Sequence, residues 1–186
     1  MLYHVSATPG LNLLEPRIST HGKAYVYAVD NLVTGLLFGA KKDDFDFMLY
    51  TNEEGIPVIY ECYPNAFFSI YYEKRCSVYE VEEEGFLRGM TGWEPELVCE
   101  REVVVKREDR IENLYERLIY EELQGNLIAN RFEDNQFYKK KISEHVVDRL
   151  IRFDLIEHME KEDERGRTYY KEIITGLKSV MDGHLL

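Results

Sequence analysis

The sequence predicts an α+β protein, with a mostly antiparallel, twisted sheet carrying few helices over residues 1–108 and an all-helical C-terminal segment over residues 109–186. Three observations carry this prediction. In the first part, short runs of β-branched and aromatic residues alternate with glycine and proline turns. From Ile111 onward apolar residues recur at helical spacing. A hydrophobic share of 45%, with aromatics at 13%, supplies enough apolar surface for a packed core rather than a disordered chain.

Leu2 to Ser6 is a short apolar stretch ended by Pro9-Gly10, and Ala24 to Val29 is rich in β-formers, so both read as strands. A loop with Pro16, Arg17 and Gly22 lies between them. Asp30 or Asn31 is placed to cap a helix carrying Leu32, Leu36, Leu37 and Ala40, and Gly35 and Gly39 would let that helix approach a neighbouring backbone. Phe45 to Tyr50 and Ile56 to Cys62 flank Asn52-Glu53-Glu54-Gly55, a hairpin turn whose glycine admits positive φ. Ser77 to Val81 and Leu97 to Val105 complete the strands.

Three helices follow, marked by Ile111, Leu114, Tyr115, Leu118 and Ile119, by Ile142, Val146, Leu150 and Phe153, and by Tyr169, Ile173, Leu177 and Met181. Glu160 to Arg167, charged and containing a glycine, reads as an exposed loop. Helices of this length are marginal alone, so their stripes must be covered by one another, by the sheet or by a second copy of the chain, a homodimer through the helical segment.

The net charge of -12 disfavours nucleic acid as a partner, because phosphate binding needs a basic surface, and Lys139-Lys140-Lys141 reads as a solvated helix face. No apolar run is long enough for a membrane span, and Met1 to His4 lacks the pattern of a signal peptide, which makes the cytoplasm the expected location. Cys62, Cys76 and Cys99 lack the paired spacing of a zinc site and are expected as core thiols; no metal is expected. The acidic run Glu80 to Glu84 suits a solvated edge that resists strand-to-strand association.

Three motifs remain: Tyr3-His4-Val5-Ser6 on the first strand, Tyr25-Val26-Tyr27-Ala28 before the first helix, and Glu94-Pro95-Glu96-Leu97-Val98 opening a late strand. In this order they resemble the ADP-ribosyltransferase-like fold, in its His-Tyr-Glu branch, to which the rifamycin ADP-ribosyltransferases belong. Val26-Tyr27 leading into a helix that ends at Gly39-Ala40 resembles those enzymes too, as does the strand Val78-Tyr79-Glu80-Val81-Glu82. The resemblance runs from the first residues to about Val105 and leaves out the helical segment.

The resemblance implies NAD as a substrate and ADP-ribose transfer to an unknown acceptor or to water. It implies that His4 bonds a ribose hydroxyl, that the Tyr27 ring stacks on nicotinamide, with Tyr25 on the same strand face as the fallback, and that Ser6 and Arg17 join the cofactor site. His4 and Tyr27 would then sit on neighbouring strands with both side chains toward one cleft. Glu96 would be the catalytic carboxylate, with Glu84 and Glu100 as alternatives. The chemistry suits these residue types, since nicotinamide departs from a ribose that becomes oxocarbenium-like and a carboxylate stabilises the developing charge. An aromatic face holds a flat cationic ring, and a neutral imidazole orients a hydroxyl. His21 is a candidate for a ligand phosphate or a loop residue.

Plainer readings stand beside these. His4 also suits a strand histidine bonded to a backbone carbonyl, the tyrosines suit core aromatics, and Glu96 suits a strand-end charge. Two other functions share the sequence: an RNA 2'-phosphotransferase, which would need several arginines where only Arg17 lies near His4, and a noncatalytic protein-interaction module that keeps the fold.

Overall fold

The computed structural model describes residues 1–18 and 22–183. In chain order the strands are β1 (Leu2–Ser6), β2 (Leu13–Leu14), β3 (Arg17–Ile18), β4 (Ala24–Val29), β5 (Phe47–Thr51), β6 (Pro57–Glu61), β7 (Cys76–Val81), β8 (Leu87–Arg88), β9 (Glu96–Cys99), β10 (Val103–Ile111) and β11 (Ile128–Asn130). The helices are α1 (Leu32–Leu36), α2 (Ala66–Tyr71), α3 (Leu114–Leu123), α4 (Gln136–Arg152), α5 (Ile156–Lys161), α6 (Glu164–Thr168) and α7 (Lys171–Met181). The class is α+β, with helices α4 to α7 forming the C-terminal segment.

The predicted strand Leu97 to Val105 is two strands, β9 and β10, and residue 108 lies within β10. Ile111 closes that strand instead of opening a helix. Helix α3 starts only at Leu114, where the Asn113 side chain caps it by accepting from the Glu116 N–H. By packing, the chain forms two units that alternate along the sequence. The first takes Met1–Lys42, Asn52–Pro57 and Phe68–Ile128; the second takes Asp43–Thr51, Val58–Phe67 and residues from 129 onward.

In the first unit an eight-stranded sheet runs in the order β2-β10-β7-β1-β4-β9-β8, with β3 added to β4, and its pairings are antiparallel. Strand alternation sends Leu2, Val26, Ala28, Tyr79, Val81, Leu97 and Cys99 to one buried face. The other face receives α1, capped by Asn31, and glycine is required for that approach. A Cβ at Gly35 would stand 3.1 Å from Val5 Cγ2 and 3.2 Å from Val29 Cγ2, and one at Gly39 would meet Cys76 Sγ at 2.8 Å.

Strand β1 pairs with β7 along its whole length, from Leu2↔Val81 to Ser6↔Ser77, yet with β4 only at Tyr3↔Val29. The two central strands therefore part beyond Tyr3.

Strands β5 and β6 of the predicted hairpin join β11 in a three-stranded sheet separate from the large one; Phe47–Thr51 and residues 58–61 fall in the second unit, and the turn Asn52–Pro57 falls in the first. Tyrosine hydroxyls tie helices to strands here. Tyr138 donates to the Glu61 carbonyl at 3.1 Å, and Tyr170 donates to the Phe45 carbonyl at 2.7 Å. The predicted loop Glu160 to Arg167 contains helix α6, where a Cβ on Gly166 would come within 1.9 Å of the Met159 carbonyl oxygen. Helix α4 buries the predicted Ile142, Val146 and Leu150, whereas Phe153 is exposed. At α7 the buried positions are Tyr170 and Ile174, and Tyr169 and Met181 face solvent. The anchored Tyr170 hydroxyl turns the buried stripe by one residue from the one predicted.

No helix among the described residues is long and apolar enough to cross a membrane. All three cysteines are buried thiols, and burial pushes Cys76 up to about 11.

Candidate functional site

Where β1 and β4 part, the first unit contains a cavity of about 380 Å³ whose lining includes His4, Ser6, Thr8, Leu11, Glu15, Arg17, Tyr25 and Tyr27. Each comes from a different local cause. His4 and Ser6 lie on the splayed half of β1. Arg17 is delivered by β3, opposite Tyr25 on β4. Thr8 and Leu11 lie on the irregular stretch between β1 and β2, and Glu15 lies in the link between β2 and β3, and these stretches form one wall.

The His4 imidazole is 2.7 Å from the Tyr27 carbonyl oxygen through Nδ1. A carbonyl only accepts, so Nδ1 carries the proton, and in the neutral ring Nε2 is then an acceptor. Burial holds the His4 pKa below the usual value, the Tyr27 bond opposes this, and the positive charge of Arg17 reinforces it. The imidazole is therefore neutral at pH 7. The plainer reading of His4, a strand histidine bonded to a backbone carbonyl, is thus realised, and it leaves the second ring nitrogen as an acceptor.

His4 and Tyr27 do stand on adjacent strands. Alternation sends their side chains to opposite faces, however, because His4 pairs with Tyr79 and shares the parity of Leu2, while Tyr27 pairs with Val98 and shares the parity of Val29. What joins the two residues directly is the imidazole-to-carbonyl bond. Tyr25, 5% exposed, packs edge-on against Tyr27 with ring centroids 5.9 Å apart. Ser6 Oγ accepts from the Thr8 N–H at 3.1 Å, which turns the chain into the wall.

Glu96 is not among the residues lining this cavity. It opens β9 opposite Val29, on the same sheet face as Tyr27 and diagonal to it, a relation of about 7–8 Å between backbones that long side chains still bridge. Glu84 faces Arg101 at 3.8 Å and Glu100 faces Lys23 at 3.9 Å, both at exposed positions away from the cavity. The carboxylate that does line it is Glu15, which the sequence reading did not single out. His21 lies outside the described residues.

The wall is held from across the sheet by groups with no local sequence signal. The Tyr79 hydroxyl donates to the Thr8 carbonyl at 2.6 Å and accepts from the Leu11 N–H at 3.3 Å. The Glu108 carboxylate accepts from the Gly10 N–H at 2.9 Å and from Ser77 Oγ at 2.7 Å, and Val105 N–H donates to the Asn12 carbonyl at 3.0 Å. The Ser77 hydroxyl, followed by the Gly10 amide and Arg110, holds Glu108 down to about 2. Every one of these bonds spans more than thirty residues of sequence, from 31 for Ser77 to Glu108 up to 98 for Gly10 to Glu108.

Comparison of the chain with protein-family models, with curated proteins and with solved structures gives no match. The likeness to the ADP-ribosyltransferase-like fold therefore rests on the three motifs.

Proposed function

We propose that the first unit is an NAD-binding, ADP-ribosyltransferase-like domain that transfers ADP-ribose to an acceptor or to water. The observation that supports this reading is the gathering of His4, Ser6, Arg17, Tyr25 and Tyr27 around one cavity. These are the residues that the resemblance assigns to NAD, and the cavity falls within the roughly 300–1,000 Å³ range of small-molecule sites. In this reading Nε2 of His4 accepts from a ribose hydroxyl, Arg17 meets the diphosphate, and nicotinamide stacks on the β4 tyrosines, which line the same cavity although their rings leave β4 on the face opposite to His4.

The carboxylate has two candidates. Glu96 lies beside Tyr27 on the next strand, and Glu15 lines the cavity itself. Replacing the working one by glutamine removes the charge that meets the oxocarbenium ion but keeps the shape, so nicotinamide release falls by about a hundredfold to a thousandfold while NAD affinity changes little. A single arginine in the lining argues against the RNA 2'-phosphotransferase, which has to hold more phosphate charge.

A second reading, a protein that holds the nucleotide without cleaving it, is favoured by the absence of Glu96 from the lining. Titration with NAD followed by assay of released nicotinamide separates the two. Binding with release that is lost in Glu96→Gln or Glu15→Gln supports the transferase. Binding without release supports the second reading, and no binding removes both.

A further inference from the structure

We propose that Tyr79 is a positioning residue of the cavity, its hydroxyl holding the wall that carries Thr8 and Leu11 at the distance a nucleotide requires; this rests on the reading of the cavity as the NAD site.

The Tyr79 ring is fully buried, and a phenylalanine would fill the same space. The hydroxyl is what reaches beyond the core. It donates its one proton to the Thr8 carbonyl at 2.6 Å and accepts the Leu11 amide at 3.3 Å, so a single oxygen clamps two backbone groups of an otherwise irregular segment. Thr8 and Leu11 both line the cavity. Tyr79 is also the register partner of His4 across β1 and β7, with ring centroids 6.1 Å apart. One side chain therefore supports both the imidazole that offers its Nε2 and the wall facing it. Glu108 holds Gly10, between the two clamped residues, from the neighbouring strand β10. Preorganising a wall in this way lowers the ordering cost that a ligand otherwise meets on binding.

The test uses the full chain as wild type, Tyr79→Phe and Glu108→Gln, and reads amide exchange at Leu11 and the Kd for NAD well below the unfolding transition. The expected result is faster exchange at Leu11 in Tyr79→Phe and a Kd raised roughly tenfold, since a backbone group left without its partner commonly shifts an equilibrium by about that factor. Glu108→Gln, which loosens the same wall from another strand and leaves the Tyr79 ring in place, should raise the Kd in the same direction. A merely structural tyrosine would lower the unfolding midpoint and leave the Kd unchanged. Wild-type protein that binds NAD, with Tyr79→Phe binding equally well, overturns the proposal alone. Wild-type protein that binds no NAD overturns the reading beneath it, and the proposal with it.

Discussion

The two units bury polar groups to opposite ends. In the second unit, Arg165 directs Nε to Asp163 Oδ1, Nη1 to Asp43 Oδ1 and Asp46 Oδ1, and Nη2 to Asp43 Oδ2 and Asp163 Oδ2, at 2.6 to 3.1 Å. A guanidinium has five N–H donors, and all five are occupied within the unit. In the first unit the polar groups around the cavity keep spare capacity. His4 uses Nδ1 and retains Nε2, Ser6 accepts one bond and retains its proton, and Arg17 forms no salt bridge among the described residues. The difference teaches that a dense charge cluster marks a keystone when its bonds close on themselves. Around the cavity, His4 and Ser6 are each held through one bond and keep a second donor or acceptor.

The comparison breaks first at Arg165. Arg165→Met leaves Asp46, 5% exposed, and Asp163, 15% exposed, without their cation, so urea unfolding should register a loss of about 3–5 kcal/mol. Lys178→Ala, which removes an exposed pair with Glu160, should cost less than about 1 kcal/mol in the same experiment. A loss at Arg165 as small as that at Lys178 would end its standing as a keystone.

Next in size is Glu61, 2% exposed, whose two oxygens accept from the Phe67 N–H at 2.7 Å and the Phe132 N–H at 2.8 Å. Glu61→Gln turns one acceptor into a donor facing an N–H, with an expected cost of about 1–3 kcal/mol by denaturation.

Two pH effects sharpen the picture of the first unit. Glu108 titrates at about 2 when folded and near 4.5 when free, so its stabilisation is complete above pH 4.5 and is lost as pH falls toward 2. The difference in stability between wild type and Glu108→Gln should shrink across that window and stay flat above it. His4 has a folded pKa below 6.5, so the unfolded chain binds more protons and stability rises with pH up to about 6.5. His4→Asn should remove that slope, and an unchanged slope would show that the imidazole is not the group responsible.

The smallest effects belong to Glu84→Gln and Glu100→Gln. Both residues lie in exposed pairs, so each change should stay within about 0.5 kcal/mol and leave nicotinamide release untouched. A large fall in release at either position would move the carboxylate away from both Glu96 and Glu15.

Local patterns determined what local physics controls. Strands β1 and β4 have the bounds their β-rich runs predict, Asn31 caps α1, and Ile142, Val146 and Leu150 form the buried stripe of α4. His4, Ser6, Tyr25 and Tyr27 were legible as candidates through the resemblance that two of the motifs carry, and Arg17 through its place in the loop between them. Tertiary structure alone decided the rest. It split the hairpin away from the large sheet, turned α7 by one residue through the Tyr170 hydroxyl, and made a helix of residues 164–168 where Gly166 meets the Met159 backbone. It also clamped the cavity wall through Tyr79 and Glu108, whose partners lie 68 to 98 residues away. Periodicity reports which face of an element is apolar. It carries no information on which distant carbonyl a buried hydroxyl will find, because that partner is chosen by the packing of the whole unit.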